Sequence, residues 1–153
     1  MNTLTKTEKS FSIIFFLIVI AELVCDSYEN LTMLHYFTKP AIVISLLIFF
    51  LMQSKHLSKN IRSITALALV FSVLGDVLLM FVTVNANYFM LGLIAFLLAH
   101  IMYVLVFLKH RNKTKSPIVF IITLLVYAAG LFYLLKDGLG SMLIPVIVYM
   151  TVI

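Results

Sequence analysis

A polytopic, all-α transmembrane helix bundle follows from the way this chain distributes its polarity. Of its 153 residues 63% are hydrophobic and 11% charged, outside the range of soluble domains, so lipid is the expected solvent. The apolar stretches are long and lack the alternation of strands. In a bilayer they must satisfy every backbone polar group internally, which selects helices. No polar stretch is long enough to build a second domain. One transmembrane helical domain over residues 1–153 is therefore expected, with five full spans and the start of a sixth.

The first span is expected over roughly Phe11 to Cys25. Residues 11 to 20 have the apolar character of a signal-peptide core, but Glu22, Leu23, Val24 and Cys25 offer neither a small-x-small cleavage site nor a lipobox. The segment reads as a retained helix. Cys25, the single cysteine, has no internal disulfide partner and no metal-ligand company, and reads as a small apolar residue. The second span, Thr38 to Met52, is short like the first, and it opens on Thr38-Lys39-Pro40. A proline at a helix start loses no hydrogen bond, and Thr38 is positioned as a cap. Ile64 to Val84 and Tyr88 to Leu108 form the third and fourth spans. Ser116 and Pro117 open the fifth in the same manner, and it runs to Leu135. The sixth opens at Ser141, has Pro145 early, and stops at Ile153 after about a dozen residues, too few for a hydrocarbon core about 30 Å thick. The chain thus reads as truncated at its C-terminus.

Basic residues sort onto one side of this arrangement. Lys6 and Lys9, then Lys55, Lys59 and Arg62, then Lys109, Arg111, Lys113 and Lys115 share a side, with Lys39 and Lys136 opposite. The positive-inside rule places the N-terminus in the cytoplasm. The net charge of +5 is accounted for by topology signals and contacts with anionic lipid, so nucleic-acid binding is not expected. The chain has no G-x-S-x-G, no phosphate-cradling glycine loop, no H-E-x-x-H and no CxxC. His35, His56 and His110 are expected at or outside helix ends on opposite sides, and they form no metal triad with His100. No metal site is expected.

An ionisable group inside a membrane span needs a partner or a function. Asp76 is such a group, expected about 12 Å below the outer boundary on the third span, while His100 is expected roughly 18 Å below it on the fourth, with Tyr103 one turn further in. Glu22 and Asp26 lie near the same face, and Lys39 at the outer start of the second span can snorkel. Glu22, Asp26, Lys39, Asp76 and His100 are thus expected to line one cavity in the outer half of the bilayer. Ser72, Gly75 and Asp76 present a polar face with room for close approach, and Gly92, Phe96, Ala99 and Tyr103 form a matching stripe beside His100. Packing of these faces would bury an Asp76–His100 pair, which is either a functional pair or a structural hydrogen bond. Lys39 reads equally as a lipid anchor, Glu22 as a helix-end residue, and Tyr149, one turn after Pro145, as an interfacial tyrosine.

The order and spacing of four segments resemble the YhhN family, bacterial relatives of the mammalian lysoplasmalogenases. These are Thr38-Lys39-Pro40, Ala68 to Met80 with Ser72, Gly75 and Asp76, Gly92 to Tyr103 with His100, and Pro145 to Tyr149. The resemblance implies an eight-helix protein of the bacterial inner membrane with a further Ser-Asp element in a later helix, which this chain does not contain. It also implies cleavage of the vinyl-ether bond of lysoplasmalogen to a fatty aldehyde and a glycerophospho-base, without a cofactor. Such a bond hydrolyses by protonation at carbon, giving an oxocarbenium ion that water captures as a hemiacetal. On this reading Asp76 is the acid, Glu22 steadies the cation or orients water, and His100 relays protons or positions Asp76. Lys39 binds the substrate phosphate, with Ser72, Tyr103 and Tyr149 lining the site. The partners implied are a lipid substrate and the bilayer. Two other functions fit the residues alone: a small proton-coupled transporter, and a noncatalytic membrane subunit locked by an Asp76–His100 pair.

Overall fold

The computed structural model describes residues 5–109, 118–140 and 143–152, and among them every regular element is helical. The helices are α1 (Lys6–Ser27), α2 (Thr32–Gln53), α3 (Lys59–Met80), α4 (Asn87–Lys109), α5 (Ile118–Leu135) and α6 (Leu143–Val152). Five of the described helices are long and apolar enough to cross a membrane. The expected bundle of five spans and a sixth helix is therefore present. His110, Arg111, Lys113, Lys115, Ser116, Pro117 and Ser141 lie outside the described residues.

The expected boundaries need three corrections. α1 begins five residues before Phe11, because Thr5 and Glu8 form a capping box. The Thr5 hydroxyl accepts from the Glu8 amide at 3.3 Å, and Glu8 Oε2 accepts from the Thr5 amide at 2.7 Å. α2 begins at Thr32, so Thr38 is not a cap and Lys39 is not at a helix start; they are the seventh and eighth residues of the helix, and Pro40 is inside it. At 22 residues each, α1 and α2 are about 33 Å long and not short. α3 begins at Lys59, five residues before Ile64, and ends at Met80, not Val84, where the chain tightens through i to i−3 bonds, Phe81 N to Leu78 O at 3.1 Å and Val82 N to Leu79 O at 3.5 Å. Asn85 then accepts the Asn87 amide at 2.9 Å and starts α4.

α1 to α4 form an antiparallel meander whose interior is built from small residues. Ala68 and Ala99 are fully buried, and Gly75, Gly92 and Ala95 join them on the α3–α4 seam. A β-carbon added at Gly75 would lie 2.7 Å from the Phe96 ring, and one at Gly92 would lie 2.9 Å from Leu79 and 3.3 Å from the Gly75 carbonyl. Only glycine lets these two backbones meet. The large apolar side chains, Phe16, Phe37, Phe107 and Leu134 among them, point outward into the position of lipid. Close packing of small residues, rather than burial of large ones, is what binds membrane helices.

Aromatic rings and one arginine fix the remaining seams. Phe11 stacks on Phe49 with ring centres 3.9 Å apart, joining the start of α1 to the later part of α2. At the other end Tyr36, Phe81 and Tyr88 follow one another at 5.8 and 6.0 Å. Arg62 on α3 donates from Nη2 to the Leu51 carbonyl at 2.9 Å, satisfying an acceptor in the last turn of α2. α6 packs against α4, whereas α5 is exposed along nearly its whole length.

Candidate functional site

The turns of α1, α2 and α3 at the end away from the lysine-rich turns carry a layer of ionisable groups. Glu22, one of the few buried polar residues, lies at its centre. The Thr38 hydroxyl donates to Glu22 Oε2. His35 Nδ1 stands 3.1 Å from Glu22 Oε1 and 3.7 Å from Asp26 Oδ1, ion-pair contacts that lack the angular geometry of a hydrogen bond. Glu22 and Asp26 are one turn apart on α1, and His35 and Thr38 one turn apart on α2, so the short α1–α2 connection sets the four side chains face to face. Asp76 is half-buried on α3, and the charged groups acting on it electrostatically are Lys39 and Glu22. Counted from the helix ends, Glu22, Thr38, Lys39 and Asp76 all lie about 6 to 10 Å deep.

A second layer lies below the first. The Ser72 hydroxyl donates to the Ala68 carbonyl at 3.0 Å, and Tyr103 lies close to it. His100 Nδ1 is 2.7 Å from the Phe96 carbonyl. A carbonyl only accepts, so Nδ1 carries the proton and a neutral ring offers Nε2 as an acceptor. The His100 ring meets Tyr149 of α6 edge-on, 5.6 Å between centres. His100 is 13 residues into α4, about 20 Å from its start, which sets it roughly 13 Å deeper than Asp76. Among the described residues no hydrogen bond or ion pair joins Asp76 to His100.

The structure therefore divides the expected single cavity into two groups: Glu22, Asp26, Lys39 and Asp76 above, and Ser72, His100, Tyr103 and Tyr149 below. Among the described residues two cavities lie away from the carboxylates. One of about 350 Å³ lies beside the α2–α3 connection, and another of about 190 Å³ lies between α4 and α6 with Tyr149 in its wall. Of the carboxylates, Glu22 is buried, Asp76 half-buried and Asp26 exposed. Among the described residues no group of three His, Cys, Asp or Glu side chains is arranged to hold a metal.

Residues 34–153, which include Lys39, Asp76, His100 and Tyr149, match the model of the YhhN family. The chain belongs to the YhhN family. No curated protein and no solved structure matches it. The YhhN match begins one residue before His35, so α1 with Glu22 and Asp26 lies ahead of it, while the α2 and α3 members of the upper layer lie inside. Sequence reasoning had set His35 at or beyond a helix end and given Thr38 a capping role. Both sit within α2 of this YhhN chain and contact Glu22. The signal that finds them is the pairing of spacings, Glu22 with Asp26 four apart and His35 with Thr38 three apart, on either side of a connection too short to let them separate.

Proposed function

We propose that this YhhN protein hydrolyses the vinyl-ether bond of a lyso-ether phospholipid within the membrane, as a lysoplasmalogenase does. The observation that carries the reading is Asp76, a half-buried carboxyl within a span of a YhhN chain, with Lys39 and Glu22 as its charged neighbours at the same depth. The bond to be broken lies next to the glycerol of the lipid, just beneath the phosphate. Lys39 snorkels toward the headgroup and holds that phosphate, leaving the vinyl ether level with Asp76.

Water-poor surroundings favour the neutral form of a carboxyl group and so equip it as an acid. The carboxyl proton of Asp76 passes to the vinyl carbon remote from oxygen, and the adjacent carbon becomes an oxocarbenium ion. Glu22, held by Thr38 and His35, faces this cation with its charge and accepts a proton as water adds. The resulting hemiacetal collapses to fatty aldehyde and glycerophospho-base, and one proton returns to Asp76. Protons balance over the cycle, and water is the only co-reactant. Ser72 with Tyr103 forms the floor of the site, and His100 with Tyr149 lies below the reacting atoms. The lysine-rich end lies in the cytoplasm of a bacterial inner membrane, so the lipid approaches from the outer leaflet.

The test is aldehyde release from lysoplasmalogen by purified protein in detergent, compared with Asp76→Asn at a matched thermal unfolding midpoint. Wild type is expected to release aldehyde without any ion gradient, and Asp76→Asn to lose about 100-fold or more in kcat. A well-folded wild type that leaves lysoplasmalogen and related ether lipids intact would remove the hydrolase reading.

A further inference from the structure

The opposite, lysine-rich end of the bundle holds a second polar feature that this chemistry does not use. The cavity of about 350 Å³ at the α2–α3 connection is walled by Leu46, Phe49, Phe50, Leu57 and Leu69, and rimmed by Gln53, Ser54 and His56. Its size is that of an ordinary small-molecule site. Ser54 is only 3% exposed, and its hydroxyl has no hydrogen-bond partner. Arg62 uses Nη2 on the Leu51 carbonyl, yet its Nε is buried and likewise without a partner. A buried donor left unpaired carries a desolvation penalty until an acceptor arrives. Lys55 and Lys59 flank the same connection and are exposed.

We propose that this groove is a binding site for one anionic phospholipid of the adjacent leaflet, distinct from the substrate site. The apolar wall takes an acyl chain, the phosphodiester accepts from the Ser54 hydroxyl in the groove lining, and Lys55 and Lys59 supply the surrounding positive charge. The charge pattern selects the occupant: a neutral protein helix would fill the apolar wall but leave Ser54 and the lysines without an acceptor, and a free phosphate would leave the wall exposed. Basic pockets between membrane helices bind lipid headgroups on this principle. From Thr38 to Gln53 the helix rises about 22 Å, so the groove and the upper ionisable layer face opposite leaflets.

Native mass spectrometry of the full chain in detergent, titrated with phosphatidylglycerol, phosphatidylcholine or glycerol phosphate, tests the site. Wild type is expected to retain one phosphatidylglycerol more tightly than phosphatidylcholine. Ser54→Val should weaken that binding about tenfold, and Leu69→Trp should abolish it by filling the groove, both at unchanged thermal midpoints. If Leu69→Trp proves unstable, Ser54→Val alone decides. Equal retention of the two lipids, displacement by glycerol phosphate, unchanged binding by Ser54→Val, or a dimer that forms in place of lipid retention would each overturn the proposal.

Discussion

His35 stands between two carboxylates, one buried and one exposed, and its removal separates charge pairing from packing. His35→Leu leaves Glu22 buried with Thr38 as its remaining contact, an arrangement expected to cost about 1–3 kcal/mol of unfolding free energy. The double variant Glu22→Gln with His35→Leu should recover most of that loss, because no charge is then stranded. Denaturant titration in detergent of wild type, Glu22→Gln, His35→Leu and the double variant measures the coupling, and strictly additive effects would show that the two side chains do not interact. Asp76 stands out in the sequence because a lone carboxylate in a long apolar run needs a partner or a function. His35 and Thr38 do not, since their meaning comes from what they face across the α1–α2 connection. The Asp76–His100 pair, expected from two polar groups on facing helices, was a matter of depth, and hydropathy alone does not determine which turn of α4 lies opposite which turn of α3.

At the scale of helices, the α3–α4 seam is the joint on which the bundle depends. Gly75→Ala forces the Phe96 ring to move, and overpacking of this kind is expected to cost about 1–3 kcal/mol. Gly75→Ala combined with Phe96→Leu should be closer to wild type than Gly75→Ala alone, since the smaller side chain gives up the space that the new methyl takes. Thermal unfolding of both variants checks this, and an unperturbed Gly75→Ala would mean that the helices are not held at this distance. The small-residue stripes of this seam were readable in advance because their spacing is helical. Helix ends were less so. Apolar residues continue past Met80 to Phe81, Val82 and Val84, and the helix stops where backbone turns and Asn85 take over, not where hydropathy falls. The start of α2 was hidden for a related reason: Pro40 resembles a first-turn proline, yet the bundle accommodates it inside the helix.

For the whole molecule, the five spans among the described residues could be read directly, because they depend on composition and length. Sidedness can be checked with thiols. Cys25 is buried and free, so a membrane-impermeant maleimide should react with Lys55→Cys only from the cytoplasmic side and with Asp137→Cys only from the outside. The opposite pattern would invert the protein and move its acidic layer to the inner leaflet. Which faces meet was beyond composition, since nearly every face is apolar, and only the rare small or polar residues mark a contact. The glycine seam has a last consequence for how a lipid is handled. Asp76 directly follows Gly75, at the point where the two backbones have no slack, so the carboxyl is mounted at a fixed height and does not reach for its target. On the proposed hydrolase reading, selection becomes a matter of measurement: with the phosphate anchored at the surface, only a lipid whose reactive bond hangs at that height would be cut, and the bundle would serve as a ruler counted in chemical bonds from the headgroup.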